Sequence, residues 1–244
     1  MGTFEMHQGT LRVSDLFEKL SYGELSNLSM SNEGNGTIKD EAKPRIINYA
    51  NEALLRLYTR FVLRERDVLI KMYKHITNYH LIPRFAIVAG AEMNLEPIRY
   101  IRDLPQEPFE QQVLMILAVY DSNGHKLPLN DENQPHSLFT PQTNVLQVPL
   151  PEDGAMLNVA YQCTHKVLTI DKDDPIFVPD TLMGAFTAYI AYKVFSHMNT
   201  QESTAKAQEH MAVYDGICTE VEARNAMSTS IITTTTVFEQ RGWV

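Results

Sequence analysis

Reactive chemistry needs side chains that can hold a metal, move a proton or attack an electrophile, and in this chain those side chains are scattered. Eight histidines fall at positions 7, 75, 80, 125, 136, 165, 197 and 210. No two are four apart, the spacing at which a helix face presents a zinc pair. Cys163 and His165 share one side of a strand by alternation, but no third ligand accompanies them, so a metal there is not expected. Asp171, Asp173 and Asp174 lack the glycine and spaced ligands of a calcium loop and read as a surface turn. Glu107 and Glu110 have the right type for an acid and base pair, yet nothing nearby marks a shifting environment, and a solvated loop is the default. Gly34-Asn35-Gly36 lacks the strand-to-helix context of a phosphate loop, and neither a Gly-x-Ser-x-Gly elbow nor a kinase signature occurs. The sequence therefore predicts no catalytic residue, no metal and no cofactor.

Composition narrows the remaining classes. The 244 residues suffice for a sizeable core in one or two domains, and 44% apolar with 21% charged residues is ordinary for a folded globular protein. No apolar run approaches a membrane helix, and the N-terminus, with Glu5 and Gln8, lacks a signal-peptide core. A formal charge of −9 argues against tight binding to a phosphate backbone, while remaining compatible with a wall that DNA slides past. Cys163 and Cys218 are expected as reduced thiols.

The elements follow from periodicity. Ser14-Asp15 can cap a short helix in an N-terminal arm spanning 1–43, with Gly23 a break before a second. From Pro44 to Arg60, Ile46, Ala50, Ala53, Leu54, Leu57 and Tyr58 form a broad apolar face, with Asn51, Glu52 and Arg56 away from its centre. Between Phe61 and Ile70 helix and strand compete; strands fit the later sequence better, and a helix continuing to His75 is the alternative. The region 61–177 reads as an inserted antiparallel β domain. It has a strand at Val113 to Tyr120, turns at Asp121 to Gly124 and Asp153-Gly154, and one buried face along Leu157, Val159, Tyr161 and Cys163.

Residues 178–226 read as a helical hairpin. Pro179 sits at the first helical position, and Leu182, Phe186, Tyr189, Ile190 and Val194 line one face. Asn199 and Glu202 suit a capping box, and Ala207, Met211, Tyr214, Cys218 and Val221 make a near-heptad seam. The stretch 227–244 is rich in Thr and Ile and favours extended structure. Ile231, Ile232, Val237, Phe238, Trp243 and Val244 make it a candidate docking arm; a terminus without such a role is the other reading. The expected class is α+β, a helical bundle on a C-terminal hairpin with the β domain inserted before it.

Several short motifs, in this order, resemble the head-to-tail adaptors of short-tailed bacteriophages. They are Leu57-Tyr58-Thr59-Arg60-Phe61, Tyr100-Ile101-Arg102-Asp103, Leu127-Pro128-Leu129-Asn130-Asp131, Val178-Pro179-Asp180-Thr181-Leu182 and the closing Gly242-Trp243-Val244. The resemblance implies a virion protein of the neck, made in the host cytoplasm, that forms a homo-oligomeric ring of twelve copies below the portal protein. It implies a channel that DNA crosses without tight binding, a platform for tail tube, nozzle or fibre proteins, and a C-terminal tail that reaches the portal. A partner-binding chaperone without a ring, and an enzyme of unspecified type, are the competing readings.

Overall fold

A computed structural model describes residues 11–26, 38–87, 98–102, 109, 113–198 and 200–224. In chain order these form β1 (Leu11–Arg12), α1 (Val13–Tyr22), α2 (Lys43–Arg60), β2 (Glu65–Lys71), β3 (Asn78–His80), β4 (Ala86–Ile87) and β5 (Ile101–Arg102). There follow β6 (Val113–Tyr120), β7 (Phe139–Gln142), β8 (Val145–Gln147), β9 (Met156–Cys163), β10 (Pro175–Ile176), α3 (Asp180–Ser196) and α4 (Gln201–Ala223). The fold class is α+β. The chain divides into a helical unit from residues 1–63 and 167–244 and a β unit from 64–166.

In the helical unit, α3 is the centre. Its buried residues are Leu182, Met183, Ala185, Phe186, Thr187, Ala188, Tyr189, Ile190, Ala191, Val194 and Phe195, which cover nearly the whole circumference. The expected single apolar face is therefore too narrow. Alanines between the large residues count as core because neighbouring backbones approach them closely, a role that side-chain size conceals in a sequence. Helix α4 is the opposite case, with one stripe of Ser203, Ala207, Tyr214, Cys218 and Val221 buried and Met211 only half-buried. The two meet closely at Gly184, where a Cβ would lie 3.1 Å from Ile217 Cδ1. Tyr189 and Tyr214 lie 5.3 Å apart by ring centroid, and Phe195 stacks on His210 at 5.3 Å.

Helix starts differ from expectation by one or two residues. Pro179 is the cap, not the first helical residue. The box opening α4 is Thr200 with Ser203, whose backbone N–H donates to Thr200 Oγ1 at 3.1 Å while the Ser203 hydroxyl accepts from Thr200 N at 3.0 Å. A hydroxyl at the third position closes the box as well as the expected Glu202 would. At α1 the cap is Arg12, and the exposed N–H of Ser14 is satisfied by Asp173 Oδ1 at 3.0 Å, from a loop far along the chain. Gly23 ends α1, where a Cβ would stand 2.9 Å from the Lys19 carbonyl oxygen; in place of the second helix expected after it, Glu24 to Ser26 form a turn.

Residues 167–177 belong to the helical unit, so the unit boundary falls at 166 where the sequence suggested 177. Asn51 clamps Leu168 in both directions, Nδ2 donating to its carbonyl at 3.0 Å and Oδ1 accepting from its N–H at 2.8 Å. The Tyr58 hydroxyl donates to the Phe177 carbonyl at 2.9 Å, and β10 pairs with β1.

The β unit holds a five-stranded sheet in the order β4-β5-β2-β9-β6 and a three-stranded sheet β3-β8-β7. The charged Arg64 to Asp67 stretch does not interrupt the strand: β2 pairs with β9 from Glu65 opposite Gln162 to Lys71 opposite Met156. β4 and β5 are parallel, against the wholly antiparallel expectation. Along β9 burial alternates only as far as Val159; from Ala160 to Cys163 both faces are covered. Val68, Ile70, Ile101, Val119, Leu146, Leu157, Val159 and Tyr161 belong to one buried core drawn from both sheets.

Because the Asn51 clamp serves two partly buried backbone groups at once, Asn51→Ala is expected to cost about 1–3 kcal/mol, read as a lowered urea midpoint with the far-ultraviolet spectrum retained.

Candidate assembly surfaces

Among the described residues the chemistry-bearing side chains do not converge. Cys163 is buried with its thiol 3.7 Å from the Arg64 carbonyl, and burial pushes its pKa up, the reverse of what a nucleophile or a metal ligand needs. His165 turns to the neighbouring Lys166 carbonyl, 2.6 Å from Nδ1. His197 reaches the Lys193 carbonyl at 2.8 Å and His125 lies 3.3 Å from Asp121. Among the described residues no three His, Cys, Asp or Glu gather as a metal site. Asp173 belongs to a turn that caps α1 and pairs with Arg12 at 3.5 Å, and the hydrogen bond from Ser14 holds its carboxyl below the ordinary range. Glu107, Glu110, Gly34 to Gly36 and the docking-arm residues Ile231, Ile232, Val237, Phe238, Trp243 and Val244 lie outside the described residues.

Where the sequence motifs are described, their side chains hold loops and helices in place. At the end of α2, Arg60 grips Glu222 with two parallel bonds, Nε to Oε1 at 2.7 Å and Nη2 to Oε2 at 3.0 Å, and reaches Asp215 at 3.3 Å. This fork ties α2 to α4 across the bundle. Higher up, Glu52 meets Lys193 of α3 at 2.7 Å. Beneath the fork, burial raises the Tyr214 phenol to about 12 and also raises the Cys218 thiol. In the β unit the Tyr100 hydroxyl accepts from His80 N at 2.7 Å and donates to His80 O at 3.0 Å, taking the place of a missing strand neighbour. Asn130, at φ +57°, bonds Thr140 through both ends of its amide, which fixes the Leu127 to Asp131 loop.

Among the described residues, what these contacts leave is surface. A groove of about 820 Å³ runs beside α1, lined by Phe17, Ser21, Tyr22, Ile38, Lys43 and Ile170. On α2 the outward stripe is Arg45, Asn48, Glu52, Leu55 and Thr59, with Leu55 52% exposed. On α4 the outward stripe is Glu202, Ala205, Glu209, Ala212, Gly216 and Ala223, flanked by Val213 at 46% exposure. Leu55 and Gly216 were not singled out by sequence reasoning. The signal for Leu55 was present: it is a leucine in register with polar residues at i−3 and i+4.

No protein-family model matches the chain, and no curated protein matches it in sequence.

Two predictions follow from these contacts. The Arg60 hydrogen bond holds the Glu222 carboxyl below its ordinary 4.5. A lowered folded value means stabilisation that is complete above the unfolded pKa and is lost as pH falls through the folded one. Glu222→Gln is therefore expected to lower the urea midpoint at neutral pH, with the deficit shrinking steadily below pH 4.5; a constant deficit down to strong acid would contradict the assignment. Gly216 lies mid-helix, and a Cβ there would meet nothing within 4 Å. Gly216→Ala is expected to stabilise the isolated chain by about 0.5–1 kcal/mol, read from the same titration.

Proposed function

We propose that this chain is a head-to-tail adaptor of a short-tailed bacteriophage, a virion structural protein of the neck. Copies form a ring below the portal, extend the DNA channel and present a platform to the tail tube, nozzle or fibre proteins. The observation that carries the reading is architectural. The described parts of 11–63 and 167–224 build one helical unit around α3, a β unit is inserted between α2 and that helix, and the motifs that resemble the adaptors, where described, fall at helix ends and loops of this plan. Leu57 to Phe61 supplies the Arg60 fork and the Tyr58 anchor, Val178 to Leu182 opens α3, and Tyr100 and Asn130 pin loops of the β unit.

Charge supports the same reading. A chain at −9 offers little attraction to a duplex that must slide through the channel. No helix among the described residues is long and apolar enough to cross a membrane. In this reading the tail from residue 227 reaches the portal, with Ile231, Ile232, Val237, Phe238, Trp243 and Val244 as its apolar contacts.

The test is binding to the purified portal protein encoded beside this chain. The full chain is expected to co-sediment with the portal. Deletion of 233–244 is expected to leave the circular dichroism and urea midpoint unchanged while weakening co-sedimentation at least about tenfold. Equal portal binding by the truncated chain removes the docking arm from the account, and absence of binding by the full chain removes the adaptor reading itself.

A further inference from the structure

We propose that Arg60 is a latch that fixes the end of α4 and thereby sets the point from which the docking arm leaves the helical unit. The inference rests on the portal-docking reading of the tail from residue 227, and it gives that tail a positioning residue within the described structure.

The end of α4 is poorly held by its own sequence. A helix C-terminus favours bases and is commonly closed by a residue in the left-handed conformation. The last turn of α4 holds no base and carries Glu220 and Glu222, while its cap, Arg224, keeps right-handed helical geometry at φ −80°. Those acids face the partial negative charge of the helix end, which favours fraying. Among the described residues two bases answer them. Arg224 pairs with Glu220 of its own helix, a contact that ties the end to nothing outside it. Arg60 comes from α2.

One guanidinium reaches along two turns of α4. Arg60 Nη1 donates to Asp215 at 3.3 Å, Nη2 lies 3.5 Å from Thr219 Oγ1, and Nε and Nη2 hold the two Glu222 oxygens at 2.7 and 3.0 Å. These residues stand at i, i+4 and i+7, so a single side chain staples one face of α4 into its last turn. With its side chains 28% and 45% exposed, the Arg60–Glu222 pair adds little to the stability of the whole unit. Burial of Ala207, Tyr214 and Cys218 already holds the helix upstream, and beyond Cys218 only Val221 of α4 is buried. The fork therefore acts on the last turn. Once that turn frays, the last held residue moves back from Arg224 toward Cys218, which nearly doubles the length of chain between it and Ile231. A longer tether dilutes the arm at its target, by about threefold for a doubling of length.

The test measures amide hydrogen exchange along α4 and binding to the purified portal protein, using the full chain with Arg60→Gln, with Glu222→Gln and with both. Each single variant is expected to speed exchange at Thr219 to Arg224 about tenfold or more with Ala207 to Tyr214 unchanged, and the pair to do no more than either alone. Both side chains lie at the surface, so folding is expected to survive, and circular dichroism checks it. Each variant is also expected to weaken portal binding of the full chain about threefold, and to leave the weaker binding of the chain lacking 233–244 unchanged. Unaltered exchange at Thr219 to Arg224 overturns the latch. Faster exchange that extends to Ala207, or effects of the two substitutions that add, shows a tie of the whole helix and overturns it too. Faster exchange at the helix end with full portal affinity, or equal weakening in the truncated chain, removes the latch from docking and leaves the adaptor reading standing. Absence of portal binding by the unaltered chain sinks the docking reading, and the exchange pattern then decides the latch by itself.

Discussion

Helix α3 is covered on almost every side, and the helical unit depends on that. A helix whose circumference carries Leu182, Phe186, Tyr189, Ile190 and Val194 between alanines cannot be stable alone in water. Each large residue contributes roughly 1.5–3 kcal/mol when buried, so the helix recruits α2 on one side and α4 on another. The alanines and Gly184 set how near those neighbours come; at Gly184 there is room for Ile217 and for little else. The polar ties then fall at the periphery, where Arg60, Glu52 and Asn51 fix the angle and register of elements already held by burial.

This arrangement explains how a β unit can be inserted in the middle of the chain without breaking the helical one. The strands that begin and end the insertion, β2 and β9, are antiparallel neighbours along seven residue pairs. The N–H of Cys163 donates to the Arg64 carbonyl at 3.2 Å, so the chain leaves and returns at nearly one point. An insertion with adjacent ends asks little of its host, and the β unit keeps its own core of Val68, Ile70, Val119, Val159 and Tyr161.

The sequence carried much of this plan, for physical reasons that can be named. Helix α2 was legible because its apolar residues repeat at helical spacing over five turns, and β6 because it is an unbroken apolar run closed by Asp121 to Gly124. Helix α3 was recognised but its surroundings were not, since alanine looks the same on a surface and in a tight helix contact. The α4 cap slipped from the expected Asn199 to Thr200 because Asn, Thr and Ser offer the same oxygen. The Asp173 cap on α1 was invisible, as it joins residues far apart in sequence. Cys163 and His165 were expected on one side of a strand, but β9 ends at Cys163 and His165 lies beyond it, turned to the backbone. The docking arm was read from composition alone, and its residues are outside the described structure.

The central claim is that this chain works by joining copies of itself into a closed collar. Electron microscopy of the full chain mixed with its portal protein tests it most directly. The account predicts end-on averages with closed rotational symmetry and one copy of the chain per repeat. A single copy bound to the portal, or an open filament of any length, would contradict it.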